Sequence, residues 1–530
     1  MVAAILVATG VAYAPTINDW FTSDDFYFLR AIQASSTGAY VRAAFDFTGD
    51  SLVPFWLYRP LALLNFLWLY QAFGDHAWGY RLVALGVHMA NTVLVWLIAS
   101  KLTKRTSLAH VSALVFGLHP AYAPAVAWIS NSMSLFALTF ALGALLLHLK
   151  HVERAVAASR YQVAAFSLMV VAVFFHPETA PIIVVICVAQ LISRGPAIGR
   201  LLAPRTWAPL IPYAAFGVAF LALHFYIREQ ELVQMTHFKW GNHLITNFLG
   251  NVAMVGNPFG PDSNLSKLYL EGNRSWATSF ADPRTLLPII GVVVMSLTLL
   301  AAELRRPGVR LLVVVWFYVS LIPISTSPIL EVTARKLYVA GPAFALMLAM
   351  WLGLVLDWLE AVAPRVRSRF VVVQKRAVPF VWIGVVLAAV VMGFLAIRIA
   401  HVTSPRFMAF ETHNAGLTSE TEEWLVDEIE VQQTDLASGS ELVLYGLPLS
   451  LRTRYGLHPR FVAAVELYHP DVFLLGVWNL EELRALPEPA PGVPRAYVFY
   501  DCGPTAAPAT LAEWVDVVQQ PYTCTGAASP

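Results

Sequence analysis

The chain has 530 residues, of which 58% are hydrophobic and only 13% are charged, and its mean hydropathy is +0.61. Soluble domains are much less apolar, so this composition predicts a polytopic membrane protein embedded in a lipid bilayer. The formal net charge is +1 and the basic residues form short clusters between apolar runs, a pattern that argues against nucleic acid as a partner.

About eleven apolar runs approach the length of about 17 to 25 residues that a membrane-spanning helix needs. We therefore predict about eleven transmembrane helices, several of them short. The first run ends in a small-x-small pattern typical of signal peptides, but no basic residue precedes it and Pro15 follows at once, which favours a retained helix. The predicted runs are residues 2–17, 78–100, 109–122, 132–149, 161–175, 179–192, 207–227, 286–304, 311–324, 338–359 and 378–400.

The basic residues between the runs predict the orientation of the chain. Lys and Arg gather after the second, fourth, sixth, eighth and tenth runs, and loops of this kind stay in the cytoplasm. This pattern places the N-terminus inside and the alternate loops outside, together with residues 401–530. We therefore expect a multi-pass membrane protein whose long loops and C-terminal region are extracytoplasmic.

Two of the outside segments, residues 19–77 and 229–284, are too long to be simple connections, and long ordered loops usually carry function. The first contains amphipathic stretches at 25–33 and 61–73, which we expect to lie as helices in the membrane interface. Residues 1–400 would then form an all-α membrane domain with these two long loops.

Residues 401–530 differ in composition and predict a small extracytoplasmic α/β domain. Ser419 and Glu422 form a capping box at the head of a helix predicted to run to residue 429. Cys502 and Cys524 lie in this domain, and we expect a disulfide between them, with two free thiols as the alternative. The predicted strands are residues 441–445, 472–477 and 496–500, and a helix is predicted at 511–518.

Asp24 and Asp25 directly follow the first run and lie outside the bilayer in the predicted topology. One carboxylate would act as general base towards an acceptor hydroxyl, while the other orients it or helps to hold a divalent cation such as Mg²⁺ or Mn²⁺. The alternative is a helix N-terminus, with Asp24 as its cap and Asp25 favourable to the helix dipole. One residue can serve both purposes.

Three basic residues, Arg59, Arg335 and Lys336, are predicted on the outer side, against the general trend of the chain. Such cations need a partner, and a phosphate group suits a guanidinium because it accepts two parallel hydrogen bonds. The alternative is that these side chains extend towards the interface or pair with carboxylates such as Glu331.

Glu178, at the outer end of the sixth run, is a candidate site residue because ionisable groups in or at membrane spans are commonly functional. The alternative is that Glu178 only initiates a helix after Pro177. His88 and Asn91 lie three positions apart in the second run, and this spacing favours an interhelical hydrogen-bond pair over a metal site.

Several of these residues occur in an order that resembles the bacterial membrane glycosyltransferases of the GT-C class. The most similar groups are the protein O-mannosyltransferases and the transmembrane and tetratricopeptide-repeat mannosyltransferases. The resemblance covers roughly the first 350 residues, although Pro124, Asn131 and Ser134 stand where relatives usually have charged side chains. The motifs are residues 24–25 (DD), 58–66 (YRPLALLNF), 88–91 (HMAN), 118–120 (LHP), 125–130 (AVAWIS) and 334–338 (ARKLY).

This resemblance implies a GT-C-like fold and transfer of a sugar from a polyprenyl phosphate donor to a protein, glycan or lipid acceptor, with the active site on the extracytoplasmic face of a bacterial plasma membrane. It implies that Asp24, by its position in the first outside acidic pair, is the base or a cation ligand. Asp25 and Glu178 would lie in the same active site. The donor phosphate would be bound by Arg59, Arg335, Lys336 and Tyr338.

Two other classes of function remain open. A transporter or lipid flippase would carry charged residues inside its spans and paired broken helices, and few charges lie within the runs here. A noncatalytic scaffold would use its membrane domain only to present residues 401–530, and its acidic pair would be dispensable.

Overall fold

The computed structural model describes most of the chain, and all structural statements concern that part. The described residues are 1–46, 58–153, 158–194, 207–230, 241–257, 282–303, 308–326, 333–367, 394–395, 397–400, 419–433, 436–447, 451–453, 456–457, 459–478 and 480–500. The predicted disulfide of Cys502 with Cys524 and the predicted helix at 511–518 lie outside these residues.

Helices make up the described part of residues 1–367, joined by short 3-10 turns. The helices are α1 (Val2–Tyr13), α2 (Asp25–Gln33), α3 (Thr37–Ala44), α4 (Pro60–Phe73), α5 (Ala77–Thr103), α6 (Thr106–Leu118), α7 (Ala123–Ala127), α8 (Ser132–Glu153), α9 (Ala158–Phe175), α10 (Ile182–Arg194), α11 (Ile211–Gln230), α12 (Asn242–Gly256), α13 (Pro283–Ala301), α14 (Val309–Ser325) and α15 (Gly341–Arg367). The 3-10 turns are Ala14–Thr16, Pro120–Tyr122, Ile129–Asn131, Pro177–Thr179, Ala208–Leu210 and Ala334–Val339.

Ten of the predicted apolar runs coincide with helices, whereas the run at 378–400 lies mostly outside the described residues. Among the described residues, four helical segments are long and apolar enough to cross a membrane, and seven other apolar helices are shorter. The protein is therefore an integral membrane protein that is mostly helical. The four long segments are Ala77–Thr103, Ile129–Glu153, Ala208–Ile227 and Gly341–Trp358.

The two amphipathic stretches predicted in the first long loop are the helices α2 and α4. Pro60 occupies the first position of α4, where its fixed φ suits the helix and its missing N–H leaves no intrahelical bond unmade. Gly74 ends α4 with a φ of 58°, a conformation in which a side chain would be strained. The sequence thus marks both ends of this helix locally.

A polar network lies inside the helical bundle. The hydroxyl of Tyr338 is fully buried, lies 2.9 Å from His88 Nδ1 and accepts a hydrogen bond from Asn91 Nδ2 at 3.1 Å. Asn91 also donates to the carbonyl of Leu135 at 2.9 Å. His88 and Asn91 therefore make the interhelical hydrogen bonds that their spacing predicts, and Tyr338 is their common partner.

The described part of residues 419–500 contains a three-stranded parallel sheet and helices beside it. The central strand β1 pairs with β4 on one side and β5 on the other, and its three middle residues are fully buried. The three predicted strands are present with ends that differ by at most one residue. The elements are α16 (Ser419–Gln432), β1 (Glu441–Tyr445), β2 (Arg452–Thr453), β3 (Gly456–Leu457), α17 (Pro459–Tyr468), β4 (Phe473–Val477), α18 (Leu480–Arg484) and β5 (Arg495–Phe499).

The sheet-containing segment packs on the first long loop. Helix α17 lies against α2, and both contribute to one hydrophobic core, to which Phe26 of α2 and Phe461 of α17 belong. At its border the rings of Trp20 and Tyr468 stack with centroids 6.2 Å apart, and Arg30 forms an ion pair with Glu466 at 2.6 Å. The loop that carries Asp24 and Asp25 therefore shares its core with the end of the described chain.

Candidate functional site

The turn that carries the two aspartates has an uncommon backbone conformation. Ser23 is fully buried and has a φ of 58°, in the left-handed region that L residues rarely adopt. Asp24 then caps α2 by position, but its side chain makes no capping hydrogen bond, and Asp25 is the first helical residue. The interpretation of Asp24 as a side-chain cap therefore does not hold in the structure.

Asp25 points into the protein and is fully buried. Its Oδ2 accepts a hydrogen bond from the Thr22 amide at 3.0 Å, and its Oδ1 accepts from both the amide of Ser130, at 2.7 Å, and the Ser130 hydroxyl. Burial raises the pKa of Asp25 to about 6, while these hydrogen bonds and the charge of Arg81 oppose the rise. Both carboxylate oxygens are therefore engaged by groups of the protein.

Arg81 completes this buried cluster. Its guanidinium donates hydrogen bonds to the carbonyls of Asp19, at 3.1 Å, Trp20, at 2.7 Å, and Ala127. These contacts join the long loop before α2 to the C-terminal end of α7. Asp25 and Arg81 together fix the position of the loop relative to the helical bundle.

Asp24 lies in a different environment. It is partly exposed, and its charge acts on Arg59 together with the charges of Glu178 and Arg335. Partial burial lowers the pKa of Arg59 to about 10, and the two carboxylates oppose that change, so the guanidinium stays protonated near neutral pH. The structure thus brings Asp24, Arg59, Glu178 and Arg335 into one electrostatic cluster.

Arg335 and Lys336 enter this cluster from the 3-10 turn Ala334–Val339. The Arg335 guanidinium lies over the ring of Trp128, 4.6 Å from its centroid, a distance at which cation and ring attract each other. Tyr338, which the sequence also predicts at the phosphate, instead uses its buried hydroxyl for His88 and Asn91. It anchors the turn that carries the two cations.

Glu178 lies in the 3-10 turn Pro177–Thr179, before α10 and not within it, because the helix begins only at Ile182. His176 precedes this turn and is buried, and its Nδ1 lies 3.6 Å from Glu178 Oε2. Burial, together with the charges of Arg59 and Lys336, holds the pKa of His176 well below its usual range. His176 is therefore a neutral member of the cluster that the sequence interpretation missed.

Several hydrogen-bond donors in this region have no partner among the described residues. They are Arg59 Nε, Trp128 Nε1 and the hydroxyl of Thr333, and all three atoms are buried. Buried donors without a partner are costly, and in native structures each one calls for an explanation. Their position beside the cations Arg59 and Arg335 is suited to the oxygen atoms of a phosphate or a sugar.

The predicted metal site would have to rely mainly on Asp24, because Asp25 is buried and its oxygens are engaged. Both Asp25 oxygens already accept hydrogen bonds from Thr22 and Ser130. The described residues also contain no group of three or more His, Cys, Asp or Glu side chains that could hold a metal ion. We therefore derive no step of the reaction through a metal bound by this pair.

Comparisons with known proteins agree with this architecture. No protein-family model matches the sequence. A segment of 125 residues is 37% identical to the protein O-mannosyl-transferase Tmtc1 of Drosophila melanogaster; it is 22% of this chain and 14% of the fly protein. The chain thus matches a small part of that relative.

Solved structures are similar over nearly the whole chain. An oligosaccharyltransferase of Archaeoglobus fulgidus, tethered to an acceptor peptide, superposes with a TM-score of 0.50 at 11% identity, covering 91% of this chain and 64% of that one. ArnT of Cupriavidus metallidurans, bound to undecaprenyl phosphate, gives a TM-score of 0.47 at 15% identity, covering 93% and 89%. The similarity to the archaeal enzyme shows that this chain has the GT-C fold.

Proposed function

We propose that the protein is a membrane glycosyltransferase that moves a sugar from a polyprenyl phosphate donor to an acceptor on the extracytoplasmic face. The acceptor is a hydroxyl group of a protein, a glycan or a lipid. The observation that carries the proposal is the cluster of Asp24, Arg59, Glu178 and Arg335, in which charges face one another beside buried donors without partners. The membrane domain would contain about eleven spans, with an α/β domain formed by residues 401–530 outside.

The cations would hold the donor phosphate. Arg59, Arg335 and Lys336 supply positive charge, and two of them present guanidinium groups that can donate paired hydrogen bonds to phosphate oxygens. A sugar carried on a phosphate leaves when the bond between its anomeric carbon and the phosphate oxygen breaks, and the phosphate then gains negative charge. Fixed cations that stabilise this charge lower the barrier to the reaction.

Asp24 would act as the general base. The acceptor oxygen attacks the anomeric carbon, its proton passes to the Asp24 carboxylate, and the polyprenyl phosphate departs with the electrons of the broken bond. Asp24 suits this role better than Asp25, because it is partly exposed and interacts with Arg59, whereas Asp25 is fully buried. Glu178 would hold Arg59 and His176 in place.

The test is sugar transfer by the purified protein in lipid nanodiscs, with a panel of polyprenyl phosphate sugars and hydroxyl-bearing peptide, glycan and lipid acceptors. Because the resemblance implies a divalent cation, each assay is run with added Mg²⁺ or Mn²⁺ and with a chelator. We expect turnover with at least one donor, and Arg59→Met should raise the KM for that donor at least tenfold. Arg42→Met, which changes an exposed arginine of α3, is the matched control.

Absence of sugar transfer across the whole panel would contradict the proposal. Movement of a labelled lipid between leaflets would then indicate a flippase. If neither sugar transfer nor lipid movement occurs, and residues 401–530 bind another protein, the results favour a noncatalytic scaffold.

A further inference from the structure

Two histidines of the chain occupy the same local structure. His119 and His176 each precede a proline that opens a 3-10 turn, and each uses Nδ1 to accept the backbone N–H two residues later. The distances are 3.2 Å from Ala121 N to His119 and 3.4 Å from Glu178 N to His176. Both imidazoles are buried.

The surroundings of the two rings differ. His119 stacks on Tyr122 with ring centroids 5.0 Å apart and meets the edge of Phe344. His176 faces charges instead: Glu178 on its own turn, Arg59 before α4 and Lys336 on the turn Ala334–Val339. The two turns therefore share their backbone hydrogen bond but differ in their neighbours, which are aromatic rings at His119 and charged groups at His176.

The hydrogen bond at Nδ1 determines where the proton of neutral His176 lies. A ring nitrogen that accepts a hydrogen bond carries no proton, so in the neutral ring the proton is on Nε2. A second proton would occupy Nδ1, where Glu178 Oε2 at 3.6 Å could accept it. The nearby positive charges of Arg59 and Lys336 oppose that second proton as long as no anion compensates them.

We propose that His176 binds the donor phosphate together with Arg59 and Lys336 and takes up a proton from solvent when the phosphate arrives. The inference rests on the proposed function, because the anion is the donor phosphate. In the complex, the Nε2–H donates to a phosphate oxygen, and the new Nδ1–H donates to the Glu178 carboxylate in place of the hydrogen bond that Nδ1 accepts from the Glu178 amide in the free protein. The phosphate adds negative charge to a cluster that already contains the carboxylates of Asp24 and Glu178. The added proton offsets part of that charge.

This proton uptake makes donor binding depend on pH in one direction. The anion offsets the charges of Arg59 and Lys336, so the pKa of His176 is higher in the complex than in the free protein. Between these two pKa values each complex forms with one extra proton, and affinity rises up to about tenfold for each unit by which the pH falls. Above the pKa of the complex the affinity no longer changes.

The experiment measures binding of a polyprenyl methyl phosphodiester to the full-length protein in nanodiscs between pH 5.5 and 8. This probe carries a single negative charge that does not titrate in that range, and it needs no sugar or acceptor. His176→Asn is the test variant, because asparagine can still accept the backbone hydrogen bond that begins the turn but cannot become a cation. His119→Asn makes the same change in the turn without charged neighbours.

We expect the wild type and His119→Asn to bind at least threefold more tightly at pH 5.5 than at pH 8, and His176→Asn to lose most of that gain. Calorimetry of the wild type in two buffers of different ionisation enthalpy should show net proton uptake on binding. Absence of proton uptake in this measurement would overturn the proposal even if His176→Asn does not fold.

Binding without proton uptake, or the same pH dependence in His176→Asn as in the wild type, would overturn the assignment of His176 and leave the proposed donor site intact. Failure of the wild type to bind the probe at any pH would overturn both. Sugar transfer is measured separately, so the two proposals can fail independently.

Discussion

Asp24 and Asp25 are neighbours in the chain, yet the protein treats them in opposite ways. Asp25 is fully buried, and its two oxygens accept hydrogen bonds from Thr22 and Ser130 beside Arg81. Asp24 is partly exposed and faces Arg59, which also feels Glu178 and Arg335. The fold thus buries one carboxylate and leaves the other partly exposed beside the cations of the cluster.

The largest effect should follow from Asp24→Asn. Loss of a general base typically lowers the rate by 10² to 10⁴, so we expect a fall of about that size in the single-turnover rate of sugar transfer. The amide keeps the size of the side chain. The free energy of unfolding, measured by thermal denaturation, should therefore stay within about 0.5 kcal/mol of the wild-type value. Nearly normal sugar transfer by this variant would show that Asp24 is not the general base.

Arg81→Met should have the largest effect on stability. The change leaves the buried carboxylate of Asp25 without its cation and three backbone carbonyls without a donor. Breaking a buried pair in this way costs about 3 to 5 kcal/mol, which can be measured by detergent-induced unfolding. Arg42→Met, at an exposed position of α3, should change the free energy of unfolding by less than about 0.5 kcal/mol.

The stability contributed by Asp25 should depend on pH in a defined window. Its pKa rises from 3.8 in the unfolded chain to about 6 in the folded protein, so between these values the folded state holds a proton that the unfolded state has released. The contribution of Asp25 to the free energy of unfolding is therefore complete below about pH 4. It falls by up to about 1.4 kcal/mol per pH unit as the pH rises to 6.

Unfolding free energies of the wild type and Asp25→Asn, measured at pH 4.5, 5.5 and 7, test this dependence. Their difference should shift in favour of the wild type as the pH falls. A constant difference would show that Asp25 is ionised over the whole range.

The smallest effect should come from Trp128, which supports the cluster around Asp24 through Arg335. Trp128→Phe keeps an aromatic ring under the guanidinium but removes the buried indole N–H, whereas Trp128→Leu removes both. A cation–π contact contributes about 0.5 to 2 kcal/mol, so Trp128→Leu should raise the donor KM by about 2- to 30-fold. Equal KM values for Trp128→Leu and the wild type would show that the ring does not position Arg335.

Much of this architecture could be predicted because its signals are local. Helix α4 begins with Pro60 and ends at Gly74, and apolar runs of limited length gave the three strands of the sheet to within one residue. Arg59 and Arg335 were predicted as site residues because they break the charge pattern of the loops. These signals lie within a few residues of the features they predict.

The different environments of Asp24 and Asp25 could not be predicted from local signals. The partner that engages Asp25, Ser130, lies 105 positions away, and nothing in the sequence tells one aspartate from the other. His176 was missed because a His-Pro pair before a helix also describes His119, which faces only aromatic rings. The contacts of the Tyr338 hydroxyl with His88 and Asn91 also join residues about 250 positions apart, which no local pattern reveals.

The shared core between α2 and α17 has a consequence for how the protein is made. Ribosomes release a chain from its N-terminus, so the segment with Asp24 reaches its compartment long before Phe461 and Tyr468 exist. Until then α2 has only its earlier partners, such as Phe66 of α4, and contacts this distant in sequence form late and slowly. Residues up to Ser130 can already hold the acidic turn against the bundle, but the core around α2 is completed only after hundreds of further residues have been synthesised.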